Sequence, residues 1–340
     1  MAVQKYGLDL GTGSIKIYKE GSGCVLKEKN MIAIRKKTEM TAFGDDAYAI
    51  YERSPGNIRV FSPIQKGVIA DLKDMKLLLD LFLRKIKCSN GFIRSNEFYF
   101  AVPSDITEVE KRAFFELASG SEFKTKDLFI VEKPVAAAIG EHVDLLHSPG
   151  TMIIDLGAGT GEISVLALGG IVSSRLLKIG GDIMNEAICD AVKENCHLLI
   201  GQKTAELLKL ELGSAFDSSE ASLTVPGRDL ISGLPSRADV KASLIHQAIK
   251  TYLSQITDTA RELFEHTPPE IARSISISGV IVTGEGSRLK HLQLYIERAL
   301  SLPVVMSEYP DQSVILGLGA IMAGDKLKRM AFSVKEAIFS

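Results

Sequence analysis

The fold is decided by Gly7-Leu8-Asp9-Leu10-Gly11-Thr12-Gly13, which recurs later in the chain as Ile153-Ile154-Asp155-Leu156-Gly157-Ala158-Gly159. Each copy joins an apolar run to a second strand-like run, 15–19 or 163–168, through a turn of small residues. This pattern predicts two β-hairpins with glycine tips. Because the two hairpins lie far apart in the sequence, we expect two similar lobes that face each other across a cleft.

Length, composition and charge exclude several classes of protein. The 340 residues, 46% of them apolar, suffice for two domains or one large two-lobed fold. A formal net charge of −2 argues against binding of nucleic acid through a broad basic surface. We find no apolar run of the roughly 18 residues that span a bilayer, and residues 1–6 do not read as a secretion signal. The four cysteines are scattered, which predicts a reducing, cytoplasmic compartment without a zinc or disulfide framework.

Strand-like and helix-like runs alternate in both halves, so the predicted class is α/β. A helix is expected to begin near Ser104 or Asp105, since Asp105 and Glu108 have capping-box spacing. The segment 225–229 is interpreted as a turn, and a further helix is expected from Leu289. The other expected elements are strands over 24–34, 98–102, 128–131, 171–177 and 277–283, and helices over 71–86, 135–139, 204–212, 242–264 and 314–322.

The two glycine tips are candidate phosphate-binding turns. Glycine lets backbone N–H groups approach phosphate oxygens, and nearby hydroxyls add donors. Asp9 and Asp155 lie at the bases of the tips, where they can hold a hydrated Mg²⁺ between the lobes. Either motif alone is also typical of an ordinary hairpin turn. The presence of two such motifs, each after an apolar strand, favours phosphate binding. The tip residues are Thr12, Gly13 and Ser14 in the first copy, and Gly157, Ala158, Gly159 and Thr160 in the second.

Three further segments fit the same chemistry but also have plain structural interpretations. The turn 283–287 can approach an adenosine and its α-phosphate, or simply join a strand to a helix. Glu206 and Lys209 can contact a ribose and base, or form an exposed ion pair on one helix face. The segment 132–138 can carry a catalytic group towards a γ-phosphate. Both glycine tips return into strands, which excludes a P-loop and a Rossmann fingerprint.

Several ordered segments together resemble the MreB family of bacterial actins over essentially the full length of the chain. That family lies within the actin, DnaK-type chaperone and sugar-kinase superfamily. The segments are Ser54-Pro55-Gly56-Asn57-Ile58, Gly67-Val68-Ile69-Ala70-Asp71, Val102-Pro103-Ser104, Pro134-Val135-Ala136-Ala137-Ala138-Ile139-Gly140, Leu199-Ile200-Gly201, Gly227-Arg228-Asp229-Leu230 and Thr267-Pro268-Pro269-Glu270.

The resemblance implies an actin-like ATPase fold, in which two lobes, each a mixed sheet flanked by helices, hold a nucleotide in the cleft between them. Lobe I would cover 1–145 with an outer subdomain at about 33–65. Lobe II would cover 146–312 with an outer subdomain at about 181–244. Residues 313–340 would return to lobe I as helices.

The resemblance also implies a function and site residues. The protein would bind ATP and Mg²⁺ and polymerise into filaments on the inner face of the cell membrane, where it would work with cell-wall elongation proteins. Asp9 and Asp155 would contact the metal through water, and Asp155 would also be catalytic. The implied ATP-contacting residues are Thr12, Gly13 and Ser14, then Gly157, Ala158, Gly159 and Thr160, then Glu206, Leu207, Leu208 and Lys209, and finally Gly284, Glu285, Gly286 and Ser287.

Two lysines depart from the family pattern. Relatives place Glu immediately before the proline of the connecting segment, where it orients the attacking water, but this chain has Lys133. An ammonium with a reference pKa near 10.4 is a poor base, and Glu132 is one residue away. Lys16 stands where the family has an apolar residue. Its side chain is expected either to lie near the phosphates or to be exposed on its strand. We therefore expect ATP binding with slow hydrolysis.

Membrane contact and cellular role leave alternatives open. Phe92 and Ile93 fall where some relatives carry an apolar insertion loop, and the alternative is that they close a helix-to-strand corner. The predicted role is a filament that directs cell shape and cell-wall elongation. The alternatives are a specialised paralogue with a cytoskeletal role outside wall synthesis, a chaperone-type ATPase and a small-molecule kinase.

Overall fold

The structure, a computed structural model, describes residues 3–36, 39–88, 95–105, 107–119, 123, 125–217 and 220–333. The chain forms two compact units, each assembled from segments that are distant in sequence. Unit 1 comprises Met1–Pro149, Leu166–Leu176 and Asp311–Ser340, and unit 2 comprises Gly150–Val165 and Leu177–Pro310. The outer subdomains expected at about 33–65 and 181–244 stay predictions.

Strands and helices are interspersed along the chain, with runs of consecutive strands over 3–43 and 151–177. The strands are β1 (Val3–Leu10), β2 (Ser14–Lys19), β3 (Gly23–Lys29), β4 (Ile32–Arg35), β5 (Glu39–Phe43), β6 (Ile58–Phe61), β7 (Ile64–Gln65), β8 (Val68–Ile69), β9 (Ser95–Val102), β10 (Thr125–Glu132), β11 (Thr151–Leu156), β12 (Gly161–Ala167), β13 (Gly170–Leu177), β14 (Leu198–Leu199), β15 (Ser222–Asp229), β16 (Pro235–Lys241), β17 (Val280–Thr283), β18 (Val304–Met306) and β19 (Phe332–Ser333). The α-helices are α1 (Gly44–Ile50), α2 (Leu72–Lys85), α3 (Glu108–Ser119), α4 (Lys133–Gly140), α5 (Gly181–Cys196), α6 (Gln202–Leu212), α7 (Ala242–Glu265), α8 (Pro269–Ser278), α9 (Leu292–Leu300) and α10 (Ser313–Ala323), and short 3₁₀ helices cover Glu285–Arg288 and Leu327–Met330.

Two large mixed sheets organise these elements. The six-stranded sheet has the order β19-β10-β9-β1-β2-β3, in which β1 pairs parallel with β9 and antiparallel with β2. The five-stranded sheet has the order β13-β12-β11-β17-β18, and β17 pairs parallel with both β11 and β18. Smaller sheets are formed by β5-β4-β6, β14-β15-β16 and β7-β8.

Each unit has its own hydrophobic core. In unit 1, helix α2 buries Met75, Leu78, Leu79, Phe82 and Leu83. These residues recur every three or four positions, so they form one apolar stripe on the helix. The Asp71 carboxylate caps α2 by accepting a hydrogen bond from the Asp74 N–H at 3.0 Å. In unit 2, the long helix α7 contributes a comparable buried stripe.

Helices α4 and α10 pack backbone against backbone in unit 1. A Cβ atom built on Gly317 would lie 1.8 Å from the Ala136 carbonyl oxygen, and one on Gly140 would lie 1.9 Å from the Ser313 carbonyl oxygen. The helices can approach this closely only because these positions are glycine. Since α4 begins at Lys133, this packing also fixes where the Lys133 backbone lies.

The predicted start of the helix near Ser104 or Asp105 is wrong. Helix α3 begins at Glu108, and its capping box is formed by Thr107 and Glu110. The Thr107 N–H donates to Glu110 Oε2 at 2.6 Å, and the Glu110 N–H donates to Thr107 Oγ1 at 3.3 Å. Thr and Glu three residues apart are the preferred pair for this motif.

Four other predicted boundaries also need correction. Residues 225–229, predicted as a turn, lie within strand β15. The strand expected over 277–283 begins only at Val280, because helix α8 continues to Ser278. The helix expected from Leu289 begins at Leu292. The strand expected over 24–34 is divided into β3 and β4.

Candidate functional site

The first glycine tip joins β1 to β2 as predicted. The strands pair antiparallel with Leu10 opposite Ile15 and Asp9 opposite Lys16. The Gly11 N–H donates a hydrogen bond to the Ser14 carbonyl oxygen at 3.0 Å, which closes the tip. The predicted β-hairpin is therefore confirmed.

Asn30, which the sequence analysis missed, holds this tip from the side. Its backbone N–H donates to the Gly13 carbonyl oxygen at 3.2 Å, and its side-chain amide donates to the Gly11 carbonyl oxygen at 2.8 Å. Asn30 is fully buried. The Gly67 N–H donates to Thr12 Oγ1 at 3.2 Å, so the Thr12 hydroxyl is also fixed by a neighbouring turn.

The second glycine tip is closed by the same bond, from the Gly157 N–H to the Thr160 carbonyl oxygen at 2.8 Å. Its anchor comes from backbone groups at the start of helix α5. The Gly181 N–H donates to the Gly157 carbonyl oxygen at 3.0 Å, and the Asp182 N–H donates to the Ala158 carbonyl oxygen at 2.8 Å. The two tips thus share a turn geometry but are supported differently.

Asp9, Lys16 and Lys133 form a buried cluster at the base of the first tip. The Lys16 ammonium lies 3.3 Å from Asp9 Oδ2, and the Lys133 ammonium lies 3.0 Å from Asp9 Oδ1. Asp9 and Lys133 therefore form an ion pair, as Asp9 and Lys16 do. Asp9 is 5% exposed, Lys16 is 7% exposed and the Lys133 side chain is 16% exposed.

The electrostatics of this cluster favour a charged Asp9. Burial raises the pKa of the Asp9 carboxyl, but the ammonium groups of Lys133 and Lys16 outweigh that effect and lower the pKa to about 2. Asp9 therefore stays ionised at neutral pH, and each of its carboxylate oxygens is engaged by a cation.

These surroundings do not fit the magnesium ion expected at Asp9. A Mg²⁺ held by this carboxylate, directly or through water, would share it with two ammonium groups, and like charges repel. Throughout the part of the chain that the structure describes, no group of three or more His, Cys, Asp or Glu side chains is placed to hold a metal ion.

Asp155, the counterpart of Asp9, lies near the predicted turn 283–287. It is opposite Thr283 where β11 pairs with β17. A Cβ atom on Gly284 would lie 2.4 Å from Asp155 Oδ1, and Gly284 has a φ of +83°. Both the contact and the backbone conformation require glycine at this position.

Unit 2 contains a cavity lined by four of the predicted residues, namely Gly157, Lys209, Glu285 and Gly286. The Lys209 ammonium donates to the Gly181 carbonyl oxygen at 2.8 Å. Most other lining side chains are apolar. Sequence reasoning missed the lining residues Ile179, Gly180, Met184, Leu253, Ile256, Arg288 and Lys290.

Some predicted residues lie elsewhere. Leu208 is fully buried in the core of unit 2, and Leu207 is 45% exposed. Glu132 ends β10 and is the N-cap residue of α4, directly before Lys133. Phe92 and Ile93 lie outside the described residues. Among the helices of the described residues, we find none with the length and hydropathy of a membrane-spanning segment.

Comparisons with known proteins give consistent matches. The family model described as MreB/Mbl protein matches residues 3–330. The cell shape-determining protein Mbl of Bacillus cereus is 34% identical over 334 residues, which are 97% of this chain and 99% of that protein. The cell shape-determining protein MreB of Escherichia coli strain K12 is 37% identical over 319 residues, which are 92% of this chain and 91% of that protein.

A solved structure is also similar to this chain along nearly its whole length. The crystal structure of MreB 5 of Spiroplasma citri bound to AMPPNP has a TM-score of 0.89 and 31% sequence identity. The match covers 97% of this chain and 98% of that one. It confirms the predicted actin-like α/β fold.

Proposed function

Because this chain belongs to the MreB/Mbl family of cell shape-determining actin homologues, we propose that it binds ATP, polymerises into filaments and hydrolyses ATP slowly. The observation that carries the proposal is the pair of glycine tips closed by the same N–H to carbonyl bond, at Gly11 and at Gly157. The related protein of Spiroplasma citri was solved with AMPPNP and with ADP.

Each tip has the means to bind phosphate. The Gly11 and Gly157 N–H groups close the tips, and the small residues that follow them would let phosphate oxygens approach the remaining backbone N–H groups, with the hydroxyls of Ser14 and Thr160 as further donors. The base and ribose would lie at the cavity of unit 2, whose charged lining side chains are Lys209, Glu285, Arg288 and Lys290. Magnesium is not part of this proposal, because the surroundings of Asp9 do not fit it.

Slow hydrolysis follows from Lys133. A protonated ammonium donates hydrogen bonds but has no lone pair with which to accept a proton from water. Lys133 also forms an ion pair with Asp9, and the reference pKa of a lysine ammonium is near 10.4. The side chain at this position therefore cannot act as a general base at neutral pH.

Sedimentation tests the proposal. The purified chain is centrifuged with ATP, with ADP and without nucleotide, and the pellets are inspected by electron microscopy. We expect filaments with ATP and fewer without nucleotide. Absence of filaments in all three conditions, or a chain that does not bind ATP, would contradict the proposed function.

Membrane association and the cellular role belong to the same proposal. Filaments on the inner membrane face would work with cell-wall elongation proteins, and the alternative is a paralogue with another cytoskeletal role. Flotation with anionic lipid vesicles, comparing wild type with Phe92→Ser/Ile93→Ser, tests the apolar loop. Restored rod shape in MreB-depleted Escherichia coli would favour wall elongation, whereas filaments without restored shape would favour the paralogue.

A further inference from the structure

Both oxygens of the Asp9 carboxylate are engaged by ammonium groups. Lys16 approaches Oδ2 at 3.3 Å and Lys133 approaches Oδ1 at 3.0 Å. The lysines come from distant parts of the sequence, one from strand β2 and the other from helix α4. They converge on the residue at the base of the first glycine tip, next to the proposed phosphate-binding groups.

Local structure does not favour lysine at either position. Lys133 is the first residue of α4, where a positive charge opposes the helix dipole, and the first turn of α4 contains no acidic residue. Lys16 is 7% exposed, although lysine is rarely buried. Both positions therefore carry an electrostatic cost that Asp9 offsets.

Two ammonium groups carry the same charge as one divalent cation. They can donate charge-assisted hydrogen bonds to phosphate oxygens, and lysine is a common phosphate ligand. A magnesium ion at Asp9 would be repelled by both of them. The positive charge that neutralises a polyphosphate is thus already supplied by the chain.

We propose that Lys16 and Lys133 take the place of a divalent cation, so that this chain binds the polyphosphate of its nucleotide without magnesium. The inference rests on the proposed ATP binding and specifies its metal requirement. It also assigns Lys133 a role in phosphate binding, in addition to its inability to accept a proton from water.

Calorimetric titration with AMPPNP, which avoids turnover, tests the inference in excess MgCl₂ and in excess EDTA. We expect the Kd of the wild-type chain to change by less than about threefold between the two conditions. Lys133→Glu should lose about tenfold or more in affinity when magnesium is chelated, because it leaves two carboxylates beside the phosphates. Lys73→Glu, an equal charge change at an exposed position of α2, should behave like wild type.

The possible results of this titration distinguish magnesium-independent binding from ATP binding itself. Tight binding in MgCl₂ and loss of binding in EDTA would overturn this inference and leave ATP binding intact. No binding in either condition would overturn the proposed function itself. Should Lys133→Glu fail to fold by circular dichroism, Lys133→Gln and Lys16→Met replace it. These variants should weaken EDTA-condition binding by about tenfold or more, and unchanged binding would count against the inference.

Discussion

Lys133 is one side chain on which the rate of ATP turnover is expected to depend. Replacing it by Glu supplies a carboxylate that can accept a proton from the attacking water, and general-base catalysis contributes about 10²–10⁴-fold. Lys133→Glu should therefore raise phosphate release per assembled subunit by about tenfold or more, measured in MgCl₂. Lys73→Glu is the matched control. Wild-type release as fast as that of the Escherichia coli relative, assayed alongside, would contradict the expectation.

Asp9 is expected to stabilise the folded state because its carboxylate forms ion pairs with two buried ammonium groups. Removing the acidic member of a buried ion-pair cluster leaves its partners uncompensated, which typically costs about 3–5 kcal/mol. We expect Asp9→Asn to lower the free energy of unfolding by about that amount at pH 7, measured by urea denaturation. Asp258→Asn, which removes an exposed pair with Arg261, should cost less than about 1 kcal/mol.

The pH dependence of the Asp9 effect has a definite sign. The pKa of Asp9 falls from 3.8 to about 2 in the folded protein, so the folded state favours the ionised form. The stabilisation is complete above about pH 4 and is lost as the pH falls through 2. The difference in unfolding free energy between wild type and Asp9→Asn should be constant from pH 7 to 5 and narrow below pH 4. A difference that widens in acid would show that the assigned charge state is wrong.

Helix α4 presents Lys133, and its position depends on the contact with α10. Replacing a helical glycine by alanine ordinarily stabilises a helix. At Gly317 the added methyl group would overlap the Ala136 carbonyl oxygen. Gly317→Ala should instead lower the free energy of unfolding by about 1–3 kcal/mol. Gly56→Ala is the control, because a methyl group at this position meets open space, and it should change stability little. Equal melting temperatures for the two variants would contradict the expected clash at Gly317.

A structural element can be predicted from the sequence when residues close together in the chain determine it. The signal for each glycine tip lies within a few consecutive residues. A four-residue tip at 11–14 places Asp9 opposite Lys16, so this cross-strand pair follows from the sequence spacing alone. The contact of Asp9 with Lys133 depends on where β10 and α4 lie in the sheet. No sequence spacing encodes that placement, and the same holds for the contacts that Asn30 makes with the tip.

Some predicted helix and strand boundaries are wrong because a short sequence pattern indicated one structure while tertiary packing favoured another. Ile275 and Ile277 alternate with serine, which imitates a strand, but they lie in helix α8 and only Ile275 is buried. Pro226 and Gly227 predict a turn, yet both lie in β15. The neighbouring strand β14 pairs only with Arg228 and Asp229, so Pro226 faces no partner on that side. Gly227 is required there because a Cβ atom would lie 2.6 Å from the Leu199 carbonyl oxygen.

The division of the chain into units shows why sequence-contiguous pieces should not fold alone. Unit 1 is completed by residues from the end of the chain, and helix α10 from that segment packs on α4 and covers β1. Five apolar side chains of α10 are buried, namely Val314, Ile315, Leu318, Ile321 and Met322. At about 1.5–3 kcal/mol each, they contribute about 8–15 kcal/mol. That is comparable to the whole stability of a typical domain, about 5–15 kcal/mol.

A fragment of residues 1–149 should therefore lack a cooperative unfolding transition, even though it contains most of the six-stranded sheet. Circular dichroism during urea denaturation measures this, with the full chain as the reference. A matched fusion protein joins 311–333 to the fragment through a long flexible Gly/Ser linker, which restores α10 in the absence of unit 2. We expect this fusion to recover part of the transition, because α10 then covers β1 again. A sharp transition in 1–149 alone would mean that β1 and α4 are stable without α10, and that the burial of its five apolar side chains is not needed for folding.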